Sequence, residues 1–332
     1  MSRLWAPLVL ALTACGCGSS SGLHLENGGR TVAPASTPAT SQPSGGQPLP
    51  RRVTAQVRLG GVPAITWDGD RTMWAAVWAG GPHLLGSLVP VDTETGRPGA
   101  ALPLPPSPSP YLVAAGGGSV YAAAGRTVLR IDPGSGAVIQ RRDLVAPVRA
   151  LLLAAGSLWA TVDLGPLVRF DPVTLRIRAA SQVTASPDAI TTLGRSVLVT
   201  DDQQRAVRRV GIRSGRVVRS TGIGTSSGGA PSQITVYDGS IWIYEGATVL
   251  QVALRGLTPR DSVAIPSGGG SIAAGTGGVW VSGGFGVARI DPASATLDSP
   301  IAIGSAGSAI ATTGNAVWVV VRRDGTLLQL ER

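Results

Sequence analysis

The stretch GSLWATVDLGPLVRFDPVT, residues 156–174, contains two short segments in which bulky apolar side chains alternate with smaller or polar ones. Alternation with a period of two is typical of β-strands that bury one face. A Gly turn precedes the first segment, and the turn sequence Asp-Pro-Val-Thr ends the second. The stretch therefore predicts a pair of antiparallel strands, and its recurrence along the chain decides the fold.

The same pattern occurs seven times between residues 51 and 332. In each copy a turn around Gly or Asp precedes an alternating strand that carries one bulky residue at an equivalent position. These residues are Trp74, Tyr121, Trp159, Leu198, Trp242, Trp280 and Trp318. They are 38 to 47 residues apart, which is the repeat length of a β-propeller blade.

Each repeat also contains three further strand signals. A short apolar segment precedes the bulky residue, a second ends in a turn such as IDPGSG, FDPVTL or IDPASA, and a fourth segment follows. The sequence therefore predicts an all-β fold, a seven-bladed β-propeller with four-stranded blades over residues 51–332. We interpret the seven bulky residues as core anchors between blades, and Asp132, Asp171 and Asp291 as caps of the turns.

The ends of the repeat region predict how the ring closes. The last repeat stops after its third strand, GTLLQLER (325–332), and an unassigned strand, VTAQVRLG (53–60), precedes the first repeat. We expect the N-terminal strand to complete the last blade, because that pairing removes an exposed sheet edge.

The phased Gly-x-x-Trp and Asp-Pro-x-Thr-Gly motifs resemble those of the YVTN/quinoprotein-like seven-bladed propellers, the YncE-like group. The resemblance covers nearly all of residues 51–332, although no single copy has every element of the turn motif. The Gly-His and Trp-Asp pairs of WD40 repeats are missing in phase.

The N-terminus predicts export and attachment to a membrane. Residues 1–14 contain Arg3 and an apolar run too short for a stable transmembrane helix, as in a signal peptide. Leu12 to Cys15, Leu-Thr-Ala-Cys, resembles the lipobox of bacterial lipoproteins, which implies cleavage before Cys15 and a lipid on its sulfur. The alternative is an ordinary secretory signal with Cys15 unmodified. Residues 15–50 are rich in Gly, Ser and Pro and are predicted to be a flexible tether.

A net charge of +9 raises the question of nucleic-acid binding. All 28 basic residues are Arg, yet no run is longer than a pair and no aromatic residues are interleaved with them. We therefore expect no nucleic-acid partner. The expected location is the extracytoplasmic side of the cell membrane, with a protein or cell-envelope ligand.

Candidate site residues lie in the loops from outer to inner strand and from second to third strand. Asp163, Asp201, Asp202 and Glu245 come from successive repeats and would form an acidic edge near the channel, where a divalent cation could bind. The alternative is that they are solvated loop charges, partly neutralised by Arg205. The remaining candidates in these loops are His83 and Arg322.

Three functions fit this sequence, and a binding module is our main interpretation. The runner-up is a metal-dependent lyase or hydrolase at the central channel, because the propeller distantly resembles virginiamycin B lyase and lactonase-type propellers. The lyase resemblance implies a catalytic His and Glu with Mg²⁺, but His83 is the only His outside the tether and matches no catalytic motif. We therefore assign no catalytic residue and expect no cofactor other than such a cation. The third interpretation is a purely structural surface protein.

Overall fold

The computed structural model describes residues 53–80, 85–223, 232–266, 268, 270–275 and 277–331. These residues form seven sheets of four antiparallel strands each, which confirms the predicted seven-bladed propeller. Over the same ranges the chain contains no helix, so none that could cross a bilayer. The predicted signal peptide and tether, with Cys15, lie outside the described residues, as does His83.

Each blade contributes strands at four distances from the ring axis. The inner strands are β2 (Val62–Trp67), β6 (Leu112–Gly116), β10 (Val148–Ala154), β14 (Pro187–Leu193), β18 (Gln233–Tyr237), β22 (Ser271–Gly275) and β26 (Gly307–Thr312). The second strands are β3 (Thr72–Gly80), β7 (Ser119–Ala124), β11 (Ser157–Val162), β15 (Ser196–Asp201), β19 (Ser240–Tyr244), β23 (Gly278–Gly283) and β27 (Ala316–Val321). The third strands are β4 (Leu85–Asp92), β8 (Thr127–Ile131), β12 (Leu167–Phe170), β16 (Ala206–Gly211), β20 (Thr248–Ala253), β24 (Gly286–Asp291) and β28 (Thr326–Glu331). The outer strands are β5 (Leu102–Leu104), β9 (Val138–Asp143), β13 (Ile177–Ser181), β17 (Val217–Gly222), β21 (Pro259–Ala264), β25 (Thr296–Leu297) and β1 (Val53–Arg58).

The blades follow one another around a closed ring. Every inner strand contacts the inner strand of the next blade, and β26 of blade seven contacts β2 of blade one. The N-terminal strand β1 pairs antiparallel with β28, from Val53 opposite Leu330 to Arg58 opposite Thr326. The predicted completion of the last blade by the first strand is therefore confirmed.

The core consists of seven apolar clusters, one at each junction between blades of the described chain. Each cluster combines the bulky residue of one blade with the sheet of the next: Trp74 packs in a cluster with Val120, and Trp318 packs in one with Met73. The seven predicted anchors are all at least 95% buried. Their role as contacts between blades is confirmed, since the repeat places one apolar anchor at every junction.

The turn between the third and fourth strands is stabilised by its first residue, as predicted. Asp132 accepts hydrogen bonds from the backbone N–H groups of Gly134 and Ser135, and Asp171 and Asp291 cap their turns in the same way. The fifth residue of these turns has a positive φ in six blades, although only three of the six are glycine. The six residues are Gly96, Gly136, Leu175, Gly215, Leu257 and Ala295.

The non-glycine residues at this position fill the junction with the preceding blade. Leu175 and Leu257 have almost no exposed surface and belong to the apolar clusters of blades two and three and of blades four and five. An L-residue in the left-handed region loses about 1–2 kcal/mol relative to an ordinary conformation. Burying a leucine side chain contributes about as much or more, which offsets the strain.

Replacing Gly96 with alanine is expected to destabilise the propeller by about 2 kcal/mol or more. The residue has φ of 67°, and an added Cβ would overlap the side chain of Ala55 on β1, so strain and overpacking both contribute. Gly156→Ala is the matched control, because Gly156 has φ of 66° and nothing within 4 Å of an added Cβ. Urea unfolding of both variants measures the difference, and equal losses of stability would contradict this packing at the β1 junction.

In blades two, three, five and seven, the residue that pairs with the bulky anchor also makes a hydrogen bond to the next blade. Arg130 donates to the carbonyl of Val173 at 2.9 Å, and Arg169 donates to that of Ile212 at 3.0 Å, each in the following blade. Gln329 of blade seven donates to the carbonyl of Thr93 in blade one at 3.1 Å. The last of these bonds crosses the junction at which the ring closes.

Candidate functional site

The inner strands of all seven blades line a central cavity of about 310 Å³. The lining is apolar on blades one, two and seven, where residues such as Ile65, Val113 and Ile310 contribute. On blades three to six it combines apolar and polar side chains. We call four of the polar ones, one from each of these consecutive blades, the channel mouth: Arg149, Asp188, Gln233 and Ser271. The cavity therefore offers an apolar wall opposite a charged one.

The two charged residues of the channel mouth lie in irregular positions of their strands. The pairing of β10 with β11 shifts between Val148 and Ala150, so Arg149 is the extra residue of a bulge. The pairing of β14 with β15 shifts in the same way between Pro187 and Ile190, around Asp188. A bulge turns a side chain away from the regular alternation. Both charges thereby line the cavity from strands that are otherwise largely apolar.

The Arg149 side chain lies near more than one carboxylate. Its Nε is 3.7 Å from Asp163 Oδ1 and 3.6 Å from Asp188 Oδ1, so both ion pairs are loose. Burial raises the pKa of Asp188, Arg149 counteracts this, and the nearby charges of Asp202 and Asp163 raise it further. The channel mouth thus holds a carboxylate whose negative charge is only partly compensated.

Neighbouring blades hold the channel mouth in place. Thr161 Oγ1 of blade three donates to the backbone carbonyl of Asp188 at 2.8 Å. Gln233 Oε1 of blade five accepts hydrogen bonds from Ser271 Oγ at 2.7 Å and from the backbone N–H of Ile272 at 3.0 Å. These bonds cross between blades, so the polar groups are positioned before any ligand binds.

The structure divides the predicted acidic edge into two groups, and the first is structural. Asp201 and Glu245 have no exposed surface. Arg208 Nη2 lies 3.3 Å from Asp201 Oδ2, and Arg205 Nη2 of blade four lies 3.2 Å from Glu245 Oε1 of blade five. These two carboxylates are therefore neutralised inside the protein and do not form a line of open ligands.

The second group, Asp163 and Asp202, lies beside the channel mouth. Asp163 and Asp202 directly follow the second strands of blades three and four. Their backbone N–H groups donate hydrogen bonds to the backbone carbonyls of Pro147 and Ser186, which directly precede the inner strands. Arg322 has the equivalent position in blade seven and is exposed. The described residues contain no group of three or more His, Cys, Asp or Glu side chains arranged to hold a metal ion. A role for these residues in binding stays a prediction.

Sequence reasoning missed Arg149 and Asp188. The inner segments of the repeats, such as YLVAA and SIAA, are uncharged in every copy except VRALLLAA and PDAITT. A charge at this position in two consecutive copies was the available signal. The signal was weak because a bulge does not change the periodicity of a sequence in a recognisable way.

Two neighbouring aspartates are expected to respond to substitution in opposite directions. Asp188→Asn should raise the melting temperature at pH 7, because burial raises the pKa of Asp188 and its ionisation therefore opposes folding. Burial also acts to raise the pKa of Asp201, but donors that include the N–H groups of Gln204 and Ala185 and the Arg208 side chain lower it overall. Asp201→Asn should therefore lower the melting temperature at pH 7.

The pH dependence supplies the check on both variants. A raised pKa makes ionisation unfavourable above the unfolded value of about 4, and a lowered pKa makes it favourable there. The Asp188→Asn difference should accordingly shrink as the pH falls through the raised pKa of Asp188 and be gone by about 4, whereas the Asp201→Asn difference should persist to about 4 and shrink only below it, towards the lowered pKa of Asp201. Thermal melts at pH 7 and in this acidic range test the prediction, and a stabilising Asp201→Asn would contradict it.

Comparisons with known proteins find similarity in fold only. No protein-family model and no curated protein sequence matches the chain. The β-propeller domain of Cps50 (Swd1) from Myceliophteria thermophila superposes with a TM-score of 0.73 at 12% identity, covering 85% of this chain and 100% of that one. A chain of the mitotic checkpoint complex superposes with a TM-score of 0.69 at 13% identity, covering 91% and 98%. At these identities the likeness shows the propeller fold.

Proposed function

We propose that the chain is a lipid-anchored, extracytoplasmic propeller of the YncE-like kind, which acts as a binding module through its channel mouth. The closed ring of seven blades gives a rigid frame, and the propellers it resembles include a chain of a multiprotein complex. A rigid frame that presents irregular residues at one end of a channel is suited to recognition.

The observation that carries this proposal is the pair of bulges at Arg149 and Asp188. Each places a charged side chain in the cavity, to which blades one, two and seven contribute only apolar side chains. A partly buried and partly compensated charge such as that of Asp188 lowers the stability of the free protein, and residues of this type are concentrated at functional sites. The charges therefore fit a role in binding better than a role in folding.

The charges at the channel mouth favour a ligand with a cationic group. The carboxylates of Asp163 and Asp188 lie near the Arg149 guanidinium, and Asp202 is close enough to Asp188 for its charge to raise the pKa of that carboxyl. An amine could approach the carboxylates, and its remaining apolar surface could lie on the wall formed by blades one, two and seven. An amino sugar of the cell wall and a basic side chain of a partner protein both have this character.

A thermal-shift screen of residues 51–332 tests the binding role. We expect fragments of cell-wall glycan with free amines to raise the melting temperature more than their N-acetylated counterparts. The shift should disappear in the Asp163→Asn/Asp202→Asn variant. The control is Asp238→Asn/Asp261→Asn, which removes the same charge from exposed positions away from the channel. A shift that depends equally on both pairs would contradict binding at the channel mouth.

Fractionation of cells tests the anchor separately. The full chain should be recovered with membranes, and Cys15→Ser should release nearly all of it because the lipid would have no attachment site. Cys17→Ser is the matched control and should leave the chain with the membranes. Equal behaviour of the two variants would contradict lipidation at Cys15.

A further inference from the structure

Exposed aliphatic side chains are concentrated on the outer strands of three consecutive blades. Nine large hydrophobic side chains of the described residues are exposed, and five of them lie on β9, β13 and β17 of blades two, three and four. They are Val138, Ile139, Ile177, Val217 and Val218, with 38% to 59% of their surface exposed. We call these three strands, together with the residue directly before β13 and the residue directly before β17, the rim of blades two to four.

Arginines without a carboxylate partner occupy the same rim. Arg142 lies on β9, Arg176 directly precedes β13, and Arg216 and Arg219 lie before and on β17. All four are exposed, and none of their side chains forms a hydrogen bond or ion pair within the described residues. Two further arginines of the rim, Arg141 and Arg178, are paired with Asp143 and Asp171. The rim therefore carries a clear excess of positive charge.

The other four blades lack this combination. Their outer strands, β1, β5, β21 and β25, carry no exposed large hydrophobic residue within the described chain. Arg260 on β21 is followed by Asp261, and the single charge of β1 is Arg58. The feature thus belongs to one side of the ring and is not a general property of the repeat.

Protection of the sheet edges explains the arginines of the rim but not its exposed aliphatic residues. Charged residues on an outer strand discourage pairing with another chain. Exposed valine and isoleucine have the opposite effect, because they make an open edge more prone to association. Their presence beside the arginines indicates a surface that something covers.

We propose that the rim of blades two to four binds an anionic phospholipid surface. The proposal rests on the proposed lipid anchor, which would keep the domain within reach of a bilayer through its tether. Guanidinium groups would bind lipid phosphates, and the short aliphatic side chains would enter the headgroup region between them. An unpaired arginine and an exposed aliphatic side chain occur together on each of the three strands or beside them, as this mode of binding requires.

Sedimentation with lipid vesicles tests the proposal without the anchor. All 28 strands of the closed ring lie between residues 53 and 331, so residues 51–332 form a complete propeller. This fragment should sediment with vesicles of equal parts phosphatidylcholine and phosphatidylglycerol, and not with phosphatidylcholine alone. Binding should weaken in high salt, because the Debye length falls from about 8 Å at physiological ionic strength to about 3 Å at 1 M.

Variants distinguish the rim from the overall charge of the protein. The fourfold variant Arg142→Gln/Arg176→Gln/Arg216→Gln/Arg219→Gln should bind the mixed vesicles more weakly by a factor of about ten or more. The control is Arg58→Gln/Arg255→Gln/Arg260→Gln/Arg323→Gln, which removes four exposed charges elsewhere and should bind nearly as the wild type does. Val218→Ser/Ile139→Ser should also weaken binding.

Three results would overturn the proposal. The first is absence of binding to the mixed vesicles, which would leave an acidic protein surface as the fitting partner. The second is an equal loss of binding in the two fourfold variants, and the third is unchanged binding in the rim variant. Because the fragment lacks Cys15, each of these results leaves the fractionation test of the anchor unaffected.

Discussion

Deleting residues 51–60 is expected to abolish the folded propeller. The deletion removes β1, which pairs with β28 along its length and places Val57 in the same apolar cluster as Trp318. Without it, blade seven has three strands, and the largely apolar β28 becomes an open edge. Because every blade packs on its neighbours, we expect loss of the cooperative thermal transition and aggregation, since the cluster between blades seven and one would be exposed.

Two companion proteins make this deletion informative. A chain that begins at residue 51 retains all described strands and should melt cooperatively. A second chain carries residues 51–60 after Glu331, joined by a short turn, so that the strand follows β28 as the outer strand follows the third in other blades. We expect this permuted chain to recover the transition. A deletion variant as stable as the chain from residue 51 would contradict closure by β1.

Replacing Arg205 with methionine is expected to destabilise the protein by about 3 kcal/mol. Arg205 follows the second strand of blade four and its Nη2 is 3.2 Å from Oε1 of Glu245, which has no exposed surface. Removing one member of a buried ion pair deprives the other charge of that partner, and in other proteins this costs about 3–5 kcal/mol. The lower end applies because a quarter of the Arg205 side chain is exposed. For a domain of this size the melting temperature should fall by about 6–10 °C.

The double variant Arg205→Met/Glu245→Leu provides the control for that loss. Replacing both members of a buried pair with apolar residues of similar volume is close to neutral in other proteins. We therefore expect the double variant to be more stable than Arg205→Met, with the difference measured in a double-mutant cycle by urea unfolding. A double variant less stable than the single one would show that Glu245 has a structural role independent of Arg205.

The fold could be predicted from the sequence because its signals recur in phase. One bulky anchor, one Asp turn and one apolar inner segment appear in nearly every repeat, so errors in a single copy are corrected by the others. The unassigned strand at 53–60 and the missing strand at the C-terminus then fixed the closure of the ring. Even the substitution of Leu175 for the turn glycine leaves the turn intact, since Asp171 still caps it.

The candidate site was less predictable because its features are not periodic. The bulges that expose Arg149 and Asp188 depend on strand pairing, and the sequence alone does not show where the pairing shifts. Asp201 and Glu245 resembled open loop acids, but each is buried beside an arginine: Glu245 beside Arg205 of the preceding blade and Asp201 beside Arg208 of the adjacent strand. The arginines of blades two to four are about 40 residues apart in sequence, so only the ring brings them to one side.

Photo-crosslinking in intact cells tests most directly the claim that the channel mouth is the binding surface. A photoreactive amino acid would replace Arg149 at the channel mouth or, as control, Arg195 in the exposed turn at the opposite end of blade four. We predict that the full chain labelled at position 149 forms one discrete adduct and that the chain labelled at 195 does not. The Asp163→Asn/Asp202→Asn variant should reduce the adduct. Equal labelling from both positions, or from 195 alone, would contradict the account.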